Sequence, residues 1–203
     1  MKTYSFEEIK SILTETVGSS FCFNEADRQR ALTNPNLEKM REDLQTEGDL
    51  LRGTPIEEAP FSAFKRFEID GNRGEYQYYY YKKRSRLTTY ALLSWLYGRE
   101  EDIKELENVI WAILNEYTWT LPAHLTRPCF ANEKSGRNRV GLSELQEDGY
   151  IIALFSAETG HALAETLSLV GDKLTPIVVK RTERYIKTRI LDVMHNDFMW
   201  KHT

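Results

Sequence analysis

Apolar residues in the middle of the chain recur every three or four positions, the spacing of one face of an α-helix. Tyrosines pass into leucines at this spacing from Gly74 to Tyr97. Isoleucines and leucines alternate with charged residues from Arg99 to Tyr117, and Gly98 separates the two segments. Both are predicted to be amphipathic helices. A further segment, from Tyr150 to Val170, begins apolar on nearly all sides and predicts an inner helix covered by others.

Capping residues predict where other helices begin and end. Ser5 and Glu8 have the spacing of a capping box and predict a first helix through about Val17. Asn34, followed by a proline at the first helical position, predicts a helix that stops near Gly48. Further helices are predicted over residues 24–33, 61–69 and 175–193.

The predicted elements indicate the fold class. No alternating apolar and polar run bounded by turn residues predicts a strand, so an all-α fold is expected. Helices joined by short links predict antiparallel helical hairpins, as in bundles, solenoids or toroids. The sequence has no fixed-period repeat, which argues against a solenoid. The exception is a long irregular loop at about 119–149. Loops of that length in a compact domain are usually functional or disordered.

Composition and charge narrow the class of protein. The 203 residues, 41% apolar and 29% charged, predict a single globular domain over 1–203. A net charge of −4 and scattered basic residues argue against nucleic acid, and the basic cluster 82–86 is interpreted as a solvated helix face. Cys22 and Cys129 lie far apart and predict neither a disulfide framework nor zinc. With no signal peptide or membrane-spanning run, a cytoplasmic protein without membrane partners is expected.

The segment after the second amphipathic helix carries the most varied chemistry. Glu116, Tyr117, Trp119 and His124 combine a carboxylate, a phenol, an indole and an imidazole within nine residues. Aromatic faces pack against the C–H face of a sugar, and the polar groups bind its hydroxyls, so these residues are candidate substrate-binding residues. A structural interpretation stays open, in which Tyr117 and Trp119 belong to the core and His124 bonds a backbone group.

Glu158 is the fifth candidate binding residue because it lies on an otherwise apolar helix. It is expected to hydrogen-bond the backbone of the long loop, or to contact the ligand directly. His161 is placed to pair with it. A glycosidase that uses Glu116 and Glu158 as acid and base is a third reading. Motifs for phosphate, zinc or serine-hydrolase chemistry are absent from the sequence, so no cofactor, metal or catalytic residue is predicted.

Two of these segments resemble the central motifs of heparinase II/III-like polysaccharide lyases. The first reads Glu-Tyr-Thr-Trp-Thr-Leu-Pro-Ala-His and the second Ile-Ala-Leu-Phe-Ser-Ala-Glu-Thr-Gly, followed by Ala-Leu-Ala-Glu and by a helix that ends near Trp200. The resemblance covers about residues 60–203 and is weak over the N-terminal helices of residues 1–59. One departure is Ala153, where relatives usually carry aspartate, so that a polar contact at the start of the inner helix is lost. The matching segments are 116–124, 152–160 and 162–165.

The resemblance implies a partial α/α toroid that acts on uronic-acid-containing glycans by β-elimination. In that family an asparagine neutralises the uronate carboxylate, and a tyrosine and a histidine handle the proton. No residue here matches those positions, and Asn196 does not stand in the family's motif. We therefore expect the N-terminal part of such a lyase, inactive alone, whose partners are an acidic oligo- or polysaccharide and the C-terminal region of the same protein. A non-enzymatic helical module that binds a glycan or a protein is the alternative.

Overall fold

The computed structural model describes residues 23–125 and 152–196, together with residues 5, 7, 8, 10 and 11. Every regular element in these ranges is helical, so the all-α prediction is confirmed. Short 3₁₀ turns and one π-helical turn connect or extend the α-helices. In chain order these are α1 (Glu25–Thr33), α2 (Glu38–Leu51), α3 (Phe61–Asp70), α4 (Gly74–Tyr97), α5 (Glu100–Asn115), α6 (Leu154–Val170), α7 (Pro176–Ile186) and α8 (Asp192–Asn196).

Helix α4 is the centre of the fold, since α1, α2, α3, α5 and α6 all pack against it. Its closest partner is α5, which follows after a tight link at Gly98 and forms the predicted antiparallel hairpin with it. The glycine has φ 64°, a left-handed conformation that suits a residue without a Cβ. The two helices bury the apolar stripes predicted from the sequence, with Leu87, Tyr90, Leu93, Leu106, Ile110 and Ile113 at or below 1% exposure.

Gly48 does not end a helix, in contrast to the prediction. Helix α2 continues to Leu51, and Gly48 is buried where α2 crosses α4. The Tyr90 hydroxyl donates to the carbonyl oxygen of Gly48 at 2.8 Å, and the Leu93 side chain occupies the space that a Cβ would need. The glycine therefore allows two backbones to approach closely, a requirement that local sequence does not distinguish from a helix stop.

Helix α6 begins at Leu154, four residues later than predicted. The Ser156 hydroxyl accepts from the backbone N–H of Ala153 at 2.8 Å and donates to its carbonyl oxygen at 2.9 Å. This serine fixes the helix start without a polar side chain at position 153. Of the predicted loop 119–149, residues 119–125 are described and the remainder lies outside the described residues, as do Cys22 and Cys129.

The last predicted helix, 175–193, is interrupted by a π-helical turn at Lys187–Leu191. A π turn inserts one residue into a helix, and here Arg189 and Ile190 both point into the protein. Ile190 packs directly on Gly160 of α6, where a Cβ would come within 2.9 Å of its Cγ1. The Ser5 and Glu8 capping box is also present, although the end predicted at Val17 is outside the described residues. None of the helices described is long and apolar enough to cross a membrane.

Candidate ligand-binding cleft

A cleft of about 710 Å³ lies between α3, the first half of α4 and the end of α5. Two of the predicted binding residues, Glu116 and Tyr117, line it. The cleft is large enough for one or two sugar rings. Its lining contains six aromatic residues, Phe61, Phe64, Tyr76, Tyr79, Tyr80 and Tyr117. Five charged residues also line it: Glu58, Lys65, Glu68, Lys83 and Glu116.

Helical spacing places these rings on one side of each helix. Phe61 and Phe64 are three residues apart on α3, and Tyr76, Tyr79 and Tyr80 have the corresponding spacing on α4. The Phe64 ring meets Tyr76 edge to face at a centroid distance of 5.5 Å. It meets the Tyr117 ring in the same way at 6.0 Å, although Tyr117 is still 55% exposed. Tyr117 therefore presents a fixed aromatic face to solvent at the cleft.

A buried ion cluster forms the inner end of the cleft. The Glu116 carboxylate accepts two hydrogen bonds from the Arg84 guanidinium, at 2.6 and 2.7 Å. The Lys83 ammonium lies 2.8 Å from the same carboxylate and 2.9 Å from that of Glu58. Glu116 reaches this position because it caps α5 in an extended conformation, which turns its side chain toward α4. The cluster joins α4, α5 and the connector before α3.

The two buried tyrosines of the cleft, Tyr76 and Tyr80, have hydroxyls with raised pKa values. Burial raises the pKa of Tyr76 well above its ordinary value, and the nearby Glu116 carboxylate raises it further. Burial also raises the pKa of Tyr80, whose hydroxyl donates to the carbonyl oxygen of Phe155 at 2.8 Å. Both phenols are neutral at physiological pH and serve as hydrogen-bonding and packing groups.

Trp119 lies in the core and does not line the cleft. Its side chain is 2% exposed, and its indole N–H donates to the carbonyl oxygen of Ile113 at 3.0 Å. The Arg189 guanidinium, carried inward by the π turn, lies 4.9 Å from the centre of the indole ring and donates to the carbonyl oxygen of Glu116 at 2.9 Å. For Trp119 the structure agrees with the core interpretation, and its role is to hold the segment after α5 in place.

His124 is half-buried beside the start of α6, outside the cleft lining. Its Nε2 accepts from the Arg73 guanidinium at 2.9 Å, and its ring meets the Phe155 ring edge to face at 5.4 Å. The expected backbone contact of the imidazole is thus replaced by a contact with an arginine side chain. Burial lowers the pKa of His124 below its ordinary value of 6.5, and the Arg73 charge adds to this effect.

This geometry predicts how His124 affects stability. Because its pKa is lower in the folded than in the unfolded protein, its contribution is complete above about pH 6.5 and is lost as the pH falls through the folded pKa. We expect the free energy of unfolding of the wild type to fall between pH 7 and pH 5 by more than that of His124→Gln. Urea unfolding at several pH values measures the difference. Equal pH dependence of the two proteins would contradict this assignment.

Glu158 is exposed on α6 and is not part of the cleft lining. Glu116 is buried in the ion cluster, so the structure does not bring these two carboxylates to one pocket as a glycosidase would need. His161 lies 3.5 Å from Glu165, and no contact with Glu158 is found in the described part of the chain. Among the described residues, no three His, Cys, Asp or Glu side chains are grouped to hold a metal ion.

The basic cluster 82–86 is a site feature that the sequence interpretation missed. Lys83 and Arg86 are buried, so the prediction of a solvated helix face is wrong for them. Arg86 of α4 pairs with Glu105 of α5 at 2.5 Å, and Lys83 of α4 pairs with Glu116 at the end of α5. The sequence did contain a sign of this burial, because Glu105 and Glu116 are acidic residues at core-facing positions in α5 and at its end.

Comparison with known proteins assigns no family to the chain. No family model matches it, and no curated protein matches it.

Proposed function

We propose that the cleft binds a carboxylate-bearing sugar, as a binding site and not as a catalytic one. The observation that supports this most strongly is the combination of aromatic walls with an ammonium group, that of Lys65, at the same opening. A uronate ring has the complementary features, because its C–H face is apolar and its carboxylate is anionic.

The aromatic walls supply the packing surface. Tyr117 is held by Phe64 and is half exposed, so its face is fixed before a ligand arrives. Tyr79 is a half-buried lining residue contributed by α4. Because the Tyr117 ring is already held in place, ligand binding costs the protein little conformational entropy. A small contact area can then give useful affinity.

Lys65 supplies the cation for the carboxylate. It is half-buried on α3, with its ammonium 5.6 Å from the centre of the Phe61 ring. In residues 23–125 and 152–196 it forms no ion pair, whereas Lys83 is already held between Glu58 and Glu116. A ligand carboxylate at Lys65 would therefore form a new ion pair without breaking an existing one.

The ionisable groups of the cleft favour binding over catalysis. β-Elimination needs a base that can remove a proton from carbon near neutral pH. The Glu116 carboxylate is held by Arg84 and Lys83, and burial raises the pKa of the Tyr76 and Tyr80 hydroxyls. The His124 imidazole could act as a general base, but it lies outside the cleft and accepts a hydrogen bond from the Arg73 guanidinium. The resemblance to heparinase II/III-like lyases implies that this cleft is one wall of a glycan site whose proton-transfer groups come from a further region of the protein.

A calorimetric titration with a uronate oligosaccharide tests the proposal. Tyr117→Ala is expected to weaken binding about tenfold, the effect of losing about 1.4 kcal/mol of ring packing. Lys65→Gln is expected to weaken binding of the uronate and to leave binding of the neutral sugar of the same length unchanged. Ultraviolet absorbance of the same samples is expected not to rise, because no unsaturated product forms.

Matched variants keep this test specific. Trp111→Ala removes an aromatic side chain of α5 that is 42% exposed and outside the cleft lining, and Lys104→Gln removes an exposed lysine of α5. Both should bind like the wild type. Absence of binding by the wild type, or equal losses in the cleft and control variants, would refute a sugar site here and favour a protein ligand. A rise in absorbance would refute the non-catalytic assignment.

A further inference from the structure

A second groove, of about 820 Å³, runs along the outer side of α7 and its π-helical extension. Lys180, Arg181 and Arg184 line it together with Ile177. None of the three cations has an ion-pair partner within the described ranges, and Ile177 is 62% exposed. The groove thus combines unpaired positive charge with an uncovered apolar side chain.

One side of the groove is held by contacts between α7 and α5. The Arg181 guanidinium lies 4.1 Å from the centre of the Trp111 ring on α5, and it donates to the Asn115 side-chain oxygen at 2.8 Å. Arg181 therefore serves to shape the groove, while Lys180 and Arg184, both exposed, are available to a partner. A basic helix face that is only solvated would not need the contacts that hold Arg181 in place beside Lys180 and Arg184.

The outer face of α2 has the complementary pattern. Met40, Asp43, Glu47 and Leu50 follow one another at helical spacing, with the two acidic residues between the two apolar ones. Met40 is 49% and Leu50 69% exposed. Asp43 contacts Lys39 at the surface, an exposed pair that contributes little and is readily exchanged.

We infer that the α7 groove of one molecule receives the α2 face of a second copy of this chain. Charge complementarity supports this occupant, since acidic side chains flanked by apolar ones would meet basic side chains beside Ile177. A long polyanion such as nucleic acid fits less well, because the chain has a net charge of −4 and the groove holds only three cations. In a single molecule both faces are exposed, so they do not satisfy each other.

The inferred contact has a definite symmetry. Helix α2 packs on α4, whereas α7 packs on α5 and α6, so the two faces are different surfaces of the protein. A contact between unlike surfaces is head-to-tail and can add further copies. One helix face against another is a small interface, so association is expected to be weak, concentration-dependent and sensitive to salt.

Sedimentation equilibrium of charge-reversal variants tests the inference. The wild type should associate as its concentration rises, and about 1 M salt, where the screening length is about 3 Å, should weaken this at least about tenfold. Lys180→Glu/Arg184→Glu makes both faces acidic, and Asp43→Lys/Glu47→Lys makes both basic. Each variant alone should be monomeric, and an equimolar mixture should associate, because each acidic face then finds a basic one.

All four substituted side chains are exposed, so unchanged circular dichroism and thermal unfolding are expected for both variants. A wild type that stays monomeric at every concentration would overturn the inference. So would a mixture of the two variants that does not associate, or variants that associate alone as the wild type does. These results are independent of whether the cleft binds a sugar.

Discussion

Replacing Glu116 by alanine is expected to lower the free energy of unfolding by about 3 kcal/mol. The carboxylate is the shared partner of Arg84 and Lys83, and the side chains of all three are largely buried. Its removal leaves two positive charges close together with only Glu58 nearby. We expect the lower end of the range for broken buried ion pairs, because the adjoining cleft admits water to the remaining charges.

Urea unfolding followed by circular dichroism measures this change. Glu158→Ala is the matched control, since that glutamate is exposed on α6 and its loss should change the free energy by less than about 0.5 kcal/mol. The double variant Glu116→Ala/Arg84→Met should be less destabilised than the sum of the single variants, because removing both partners leaves fewer uncompensated charges. Additive effects would show that the ion cluster does not act as a unit.

Replacing Trp119 by alanine is expected to cost about 3–5 kcal/mol of the free energy of unfolding. The indole is almost fully buried, holds the carbonyl of Ile113 and supports the Arg189 guanidinium. The cavity left by the indole accounts for most of this cost, because the Ile113 carbonyl keeps a hydrogen bond from the backbone N–H of Glu116 at 3.2 Å. Any loss of ligand binding in this variant would then follow from misplacement of the cleft residues that precede it in the chain.

Thermal and urea unfolding of Trp119→Ala, compared with Trp111→Ala, test this assignment. Trp111 is 42% exposed and packs on Arg181 at the surface, so its removal should cost about 1 kcal/mol or less. Equal destabilisation of the two variants would contradict a core role for Trp119. A stable Trp119→Ala protein that has lost ligand binding would instead return the tryptophan to the binding site.

Local pattern was sufficient to predict the main helices. The apolar stripes run along most of α4, which has 24 residues, and of α5, which has 16. Their leucines are buried as expected, whereas Tyr117, predicted to continue the α5 stripe, lies beyond the helix and is 55% exposed. Local pattern was insufficient wherever a position depends on a distant partner. Gly48 was interpreted as a helix stop because its contact, Tyr90, is 42 residues away. The π turn after Ile186 places Ile190 against Gly160, a residue 30 positions earlier in the chain. The spacing of apolar residues in the last helix therefore does not reveal this turn.

The candidate site was predicted only in part for the same reason. Glu116 and Tyr117 do line the cleft, but the mixed chemistry of their segment does not reveal which ring turns inward. Trp119 turns into the core and His124 toward Arg73. Lys65 was missed because a single lysine on a short helix has no pattern of its own. Its role in the proposal comes from the aromatic side chains that α4 brings beside it.

The proposal rests on where a uronate ligand contacts the protein, and nuclear magnetic resonance during a titration measures this directly. With a uronate oligosaccharide added to the wild type, the account predicts saturable shifts of the ring signals of Phe61, Phe64 and Tyr117 and of the Lys65 side chain. The ring signals of Trp111, which is not a lining residue of the cleft, should remain unchanged. Shifts confined to residues outside the cleft, or none at saturating sugar, would contradict it.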